Sequence, residues 1–248
     1  MKKLAYILGA ALLLTLPSCR FISVSDELKE EMKNGIKENG FTMNGESGER
    51  ITASDNYITR NDVTGEFSAL ECNLPGDVIY TPGDCALSIS APDNVLDHVT
   101  VRNEGGTLDI KSDLRSIRNL KKITITVSSP VLEDITFNGA VDFSAPKGLS
   151  ALDFTATVNG AGDVNINGLK AGSASLTVNG AGDATLSGID CDALTVSING
   201  AGDATLSGQV KGKAGLYISG AGDIDARTLA CGELDSKVRG IGSIKRPQ

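Results

Sequence analysis

The sequence predicts an all-β protein whose C-terminal half is a parallel β-helix-like solenoid with ~20-residue coils, preceded by a region of short strands. Three observations carry this. Six glycines, Gly139, Gly160, Gly180, Gly200, Gly220 and Gly240, recur at intervals of 21, 20, 20, 20 and 20 residues, four of them inside the peptide Asn/Ser-Gly-Ala-Gly-Asp. Counted from each glycine, even offsets hold apolar residues or glycine and odd offsets hold Asn, Thr, Ser and Asp, the period-two alternation of a strand with one face inward. The apolar mass is small and β-branched, with 4% aromatic residues, no Trp and 29 Gly, which suits regular stacking better than an irregular globular core.

From the N-terminus, Lys2 and Lys3 precede an apolar run over Leu4–Leu16, 13 residues that are too few to span a bilayer but suit a secretory signal. The run ends in Leu16-Pro17-Ser18-Cys19, which resembles the bacterial lipobox, where an aliphatic, a variable and a small residue precede the cysteine that is acylated. Pro17 departs from the small or β-branched residue usual there, and no Ala-x-Ala cleavage site competes. The expectation is a signal peptide over residues 1–18 and a lipid, palmitate among its acyl chains, on Cys19. At ~0.8 kcal/mol per buried methylene, more than one chain gives a stable anchor without a membrane span. Arg20 after Cys19 is no strong inner-membrane retention cue, so the outer membrane is expected, with surface or periplasmic face left open.

Residues 19–58 read as an acidic flexible tether, with one marginal helical face made by Leu28, Met32 and Ile36 and interruptions at Gly35, Gly40, Gly45 and Gly48. The β domain is expected over 59–248. Short alternating runs follow at 67–74, 77–81, 87–90, 99–102, 107–111 and 123–128, separated by Pro- and Gly-rich breaks, with Gly105-Gly106 as a hairpin turn. Asp93 is expected to cap a single helical turn over 94–97, beside which His98 is a packing or surface residue.

After Pro130 the repeat takes over, as about five coils. Around Gly200 the inward set is Leu194, Val196, Ile198, Ala204 and Leu206, and burying its four large members contributes roughly 6 to 12 kcal/mol once neighbouring coils cover them. Glycines at offsets zero and two, such as Gly200 and Gly202, are expected where two inner walls converge at a corner.

Charge narrows the partners. Lys plus Arg number 23 against 31 Asp plus Glu, a net charge of −8; without Lys2 and Lys3 the balance is 21 against 31, or −10. Such a chain lacks the cations that neutralise phosphates, so no nucleic-acid partner is expected. Of the cysteines beyond Cys19, Cys191 and Cys231 each stand nine residues before a repeat glycine, two coils or ~9.6 Å apart, beyond the ~7 Å Cα limit for a disulfide. Both are expected as free, packed thiols, while Cys72 and Cys85 flank a Pro-Gly stretch across which a bridge is left open.

Two outward columns are candidates for chemistry. Asn138, Asn159, Asn179, Asn199 and Ser219 stand one residue before each glycine, as an amide ladder, and Asp142, Asp163, Asp183, Asp203 and Asp223 stand three after. Stacked carboxylates ~4.8 Å apart repel, so each is expected to accept hydrogen bonds from the amides of its own Gly-Ala-Gly turn. Bound calcium is the other reading, disfavoured by one carboxylate per coil where calcium takes six to eight oxygens. No zinc spacing, phosphate loop or nucleophile elbow is present, and no cofactor is implied. Equivalent carboxylates in a column also lack the paired, unlike environments that acid–base catalysis needs, so no enzyme is expected.

The segment from Cys72 to Asp84, Ser90-Ala-Pro-Asp-Asn-Val-Leu96, Gly106-Thr-Leu-Asp-Ile110 and the Asn-Gly-Ala-Gly-Asp repeats together resemble the head GIN domain family of autotransporter adhesins, exported proteins of Bacteroidetes-type bacteria. The resemblance covers roughly residues 59–245. It implies a right-handed β-helix-like domain with a role in adhesion, toward glycan or protein, and transfers no catalytic residue. Arg239-Gly-Ile-Gly-Ser243 departs from the repeat and is expected to cap the last coil. The expectation is a lipid-anchored envelope lipoprotein with a non-catalytic adhesion solenoid; a periplasmic scaffold is the alternative and polysaccharide cleavage a distant third.

Overall fold

The computed structural model describes residues 41–42 and 48–246. The expected signal peptide, Cys19 and most of the expected tether lie outside the described residues. Strand pairing reaches upstream of residue 59. Strands β1 (Phe41–Thr42) and β2 (Arg50–Thr52) flank β9 (Ser116–Arg118) in a three-stranded sheet, and β3 (Tyr57–Asp62) is an edge of the main sheet.

The repeat forms a β-solenoid of about four turns in the C-terminal half. Its strands are β11 (Asp134–Ala145), β12 (Leu149–Ala161), β13 (Val164–Asn167), β14 (Leu169–Ala181), β15 (Ala184–Ala201) and β16 (Ala204–Lys245), paired in parallel. The register is the sequence period itself: Gly160 lies opposite Gly180, Gly180 opposite Gly200 and Gly200 opposite Gly220. Even-offset side chains are inward, and Leu194, Val196, Ile198, Ala204 and Leu206 are all buried. One continuous core runs from Phe67 to Leu229.

The corner glycines answer to the coil beneath them rather than to converging inner walls. A Cβ on Gly180 (φ +141) would lie 1.9 Å from the Gly160 carbonyl oxygen. On Gly182, where φ is unstrained, it would lie 1.9 Å from the Gly162 oxygen, so close backbone approach alone demands glycine there.

Parallel stacking continues upstream of the repeat. Strand β11 pairs in parallel with β4 (Ala69–Cys72) and β5 (Gly76–Pro82); β4 then pairs with β8 (Thr107–Ser112) and β5 with β10 (Thr124–Ser129), again in parallel. Antiparallel strands end the stack: β7 (Val99–Glu104) on β8, β6 (Ala86–Pro92) on β10, and β3 on β6. The outermost parallel strands are covered in this way, and the antiparallel strands β3 and β7 form the edges. The β7–β8 turn places Gly105 at φ +61 and Gly106 at φ +82, both positive as a type I′ hairpin requires.

Three local expectations are corrected, and the open question of a Cys72–Cys85 bridge is answered. The single helical turn α1 (Asp93–Leu96) has Pro92 as its N-cap, with no side-chain cap hydrogen bond. Asp93 is drawn away by the segment before β3, its carboxylate accepting from the Ser54 hydroxyl and, at 2.7 Å, from Asn56 Nδ2. Cys72 and Cys85 are both free, because β4 pairs with β8 and β11 and never with β6, and the Cys72 thiol is buried against the Leu74 carbonyl at 3.5 Å. Cys191 and Cys231 are free as expected, but only Cys191 is fully buried. A one-residue slip between Leu186 and Ile189 pairs Cys191 with Val210 instead of Lys211, so the cysteines no longer follow the simple 20-residue column.

Candidate functional site

The outward rows begin with the aspartates. The strand breaks at Gly162-Asp163, Gly182-Asp183 and Gly202-Asp203 and runs on through Gly222-Asp223, and at all four corners the Asp backbone N–H is bonded by a side chain of the coil before it. Asp163 N–H donates to Asp142 Oδ1 at 3.0 Å, Asp183 to Asp163 at 2.9 Å, Asp203 to Asp183 at 2.9 Å and Asp223 to Asp203 at 2.8 Å. The carboxylates therefore accept hydrogen bonds as expected, but across coils rather than within their own turns. An N–H bond to a charged acceptor contributes ~1.5–3 kcal/mol. That offsets a repulsion between neighbouring carboxylates of about 1 kcal/mol in water-like surroundings.

The column is longer than the repeat. Asp142 lies opposite Asp77 on β5, and Lys122 forms an ion pair with Asp77 that holds its ammonium above the ordinary lysine range, with Asp142 adding to the effect. A cation thus sits where the row of negative charge starts. At the other end Ser243 replaces aspartate.

The amide ladder is also real and also longer. Asn199 Nδ2 donates to Asn179 Oδ1, Asn179 to Asn159 and Asn159 to Asn138, each at 2.9 Å, and Asn138 donates to Asn73 Oδ1 at 2.7 Å. Asn73 and Asp77 belong to Asn73-Leu-Pro-Gly-Asp77, which matches Asn-Gly-Ala-Gly-Asp at its first and last two residues. That peptide was the available signal for both.

Ion pairs band the later coils on another side. Lys211 reaches Asp190 at 3.2 Å and Asp192 at 3.5 Å, and Lys213 reaches Glu233 and Asp235 at 3.5 Å each. These groups are about half exposed, so the pairs contribute little to stability. Arg227 bonds Asp225 through both side chain and backbone and holds its carboxyl down to about 2.

No group of three or more His, Cys, Asp or Glu among the described residues is arranged to hold a metal ion. His98 Nδ1 lies 2.8 Å from Asp113 Oδ1 on the surface. What the arrangement offers chemically is repetition: the same amide, hydroxyl and carboxylate groups once per coil on a stiff frame.

Residues 66–246 match the family described as "Putative auto-transporter adhesin, head GIN domain". The chain belongs to the head GIN domain family. Solved structures share the fold. A "putative adhesin" from Bacteroides fragilis is 25% identical with a TM-score of 0.64, covering 79% of this chain and 99% of its own. A "putative lipid binding protein" from Parabacteroides distasonis has a TM-score of 0.63 at 18% identity, covering 81% and 100%. A "putative adhesin" from Parabacteroides merdae has a TM-score of 0.51 at 16% identity, covering 81% and 100%. No curated protein matches the chain. The family and these neighbours carry descriptions of binding proteins rather than enzymes, and adhesin-like head GIN proteins point to an extracellular or cell-surface setting.

Proposed function

We propose that the chain is an outer-membrane lipoprotein, anchored through acylated Cys19, whose solenoid is a non-catalytic adhesion module. The observation that carries this reading is the set of outward rows, in which equivalent polar groups recur once per coil from Asn73 to Asn199 and from Asp77 to Asp223. Repeated groups at fixed spacing suit weak multivalent contact with a glycan or protein surface. Equivalent carboxylates, each bonded by the same backbone group, do not make the unlike acid–base pair of a glycosidase.

A scaffold on the periplasmic side is the second reading. It is favoured by the way the asparagine side chains bond to one another within the stack, which makes that ladder a structural brace as well as a surface.

Protease shaving of intact cells separates the two. An adhesin is cleaved from the surface, whereas a protected domain supports the scaffold and contradicts adhesion. Metabolic palmitate labelling tests the anchor: label is expected on the native chain and lost in Cys19→Ser, and an unlabelled native chain contradicts it.

A further inference from the structure

The last coil reverses the charge of the rest of the chain. Residues 236–246 hold Lys237, Arg239, Lys245 and Arg246 and no acid, in a protein of formal net charge −8. All four cations are exposed. Among the described residues none of them forms an ion pair, and Arg246 bonds only a hydroxyl, Ser236 Oγ at 3.1 Å. The acids nearest in the stack are already engaged: Glu233 and Asp235 by Lys213, Asp225 by Arg227 and Asp223 by Ser243.

The 20-residue period persists to this end, since a Cβ on Gly240 would lie 2.0 Å from the Gly220 oxygen and Ser243 bonds Asp223. Arg239 therefore continues the asparagine column and Lys237 continues the column of Ser197 and Tyr217. The two cations stand two residues apart on one outward strand face, ~6.6 Å along the chain, beside hydroxyl and amide groups of the coils beneath. Residues 236–246 contain no aromatic side chain to enter a bilayer or to stack on bases. Their one large exposed apolar group, Val238, has the inward parity.

We propose that this terminal coil is the ligand-binding tip of the solenoid and that its ligand is a polyanionic polysaccharide. Lys237 and Arg239 meet carboxylate or sulfate groups along the sugar chain, and the adjoining hydroxyl and amide rows meet sugar hydroxyls. The inference rests on the adhesion reading above and gives it a site and a ligand class. A nucleic acid is disfavoured, because its denser charge would be carried over the neighbouring aspartate column, and the Tyr217 ring beneath Lys237 is tied through its hydroxyl to the carboxylate of Asp235 at 3.0 Å.

The test uses the full chain carrying Cys19→Ser, so that no acyl chain contributes. Binding is measured to polygalacturonate, chondroitin sulfate, neutral dextran, single-stranded DNA and phosphatidylglycerol vesicles. Both acidic glycans are expected to bind, with affinity falling about tenfold or more as salt rises from about 50 to 200 mM. Lys237→Gln/Arg239→Gln is expected to lose about tenfold or more while keeping its melting temperature, and Lys147→Gln to change nothing. No binding, equal binding of dextran, tighter binding of DNA or vesicles, or an unaffected double variant overturns the proposal. If the double variant unfolds, Lys237→Gln alone replaces it, with a loss of about threefold or more expected. Cell adhesion to glycan-coated and host-cell surfaces keeps the two readings apart. Equal adhesion with and without the protein sinks the adhesion reading; adhesion lost on deletion but retained by the double variant sinks only the tip.

Discussion

Ser243 donates both its backbone N–H and its hydroxyl to one oxygen of Asp223, at 2.7 and 3.0 Å. The aspartate column therefore ends in a neutral residue that uses the last carboxylate and offers no new charge to a following coil. A copy of Asn-Gly-Ala-Gly-Asp at this position would instead present a further carboxylate acceptor. Restoring the repeat residue, Ser243→Asp, is expected to leave the fold intact and lower stability modestly by placing a like charge beside Asp223; urea unfolding measures it, and a rise in midpoint contradicts the account.

Within the column the acceptor matters more than the charge. Asp183→Ala strands the Asp203 N–H and is expected to lower stability by ~1 kcal/mol. Asp183→Asn keeps an oxygen acceptor and removes a repulsion, so its urea midpoint is expected at or near that of the native chain. Equal losses in both variants would mean the carboxylate charge itself is needed, as a bound cation would require. For the same reason melting temperatures in excess calcium and in chelator are expected to coincide.

Gly200→Val introduces a branched side chain where even a Cβ would lie 2.0 Å from the Gly180 oxygen, at φ +142. A loss of more than ~3 kcal/mol is expected, enough to lower the melting temperature by roughly 6 to 12 °C. Thr205→Val, at an exposed position on the strand that follows, is expected to change it by no more than a degree or two. Similar effects would mean the inward and outward faces are misassigned.

The four free thiols are expected to separate into two reactivity classes. Burial pushes the Cys72 thiol up to about 12 and the Cys191 thiol to about 11. At pH 8 that leaves thiolate fractions of roughly 10⁻⁴ and 10⁻³, so iodoacetamide is expected to modify the half-buried Cys85 and Cys231 first. Mass spectrometry of the native protein reads the order, and early labelling of Cys72 contradicts it.

Asp225 supplies an acid-side signature. Its folded pKa of about 2, set first by the Arg227 side-chain hydrogen bond, lies below the unfolded carboxylate value of ~3.9. Its contribution is therefore full above about pH 4 and is lost as pH falls through 2. Asp225→Asn should flatten the stability curve between those values and nowhere else.

Much of this architecture was legible in the residues. The glycine period gave the coil length, and the even-offset alternation gave the inward set from Phe154 to Ile224, because a parallel in-register stack repeats its chemistry in its sequence. What escaped was the upstream part of the same stack. Asn73 and Asp77 precede Asn138 and Asp142 by 65 residues, since β6, α1, β7, β8, β9 and β10 are inserted between them, and no period survives such an insertion. The direction of the aspartate bonds escaped for a different reason. An Asx turn and a bond to the next coil need the same residues at the same spacing, and only the backbone geometry of the corner decides between them. The slip that moves Cys191 onto Val210 likewise leaves no mark on the glycine spacing, because the coil lengthens at one corner and shortens at another.

One continuous parallel stack joins the strands upstream of residue 130 to the repeat. Thr126, Ile79, Ser144, Asn165, Thr185 and Thr205 occupy one column, each opposite the next. Spin labels at Thr126 and Thr205, in a chain with Cys19, Cys85 and Cys231 changed to serine, measure five strand steps. The expected backbone separation is ~24 Å, falling to ~19 Å when Thr185 replaces Thr205 as the second site. A separation beyond about 40 Å, or one that fails to shorten between the two pairs, would contradict the stack.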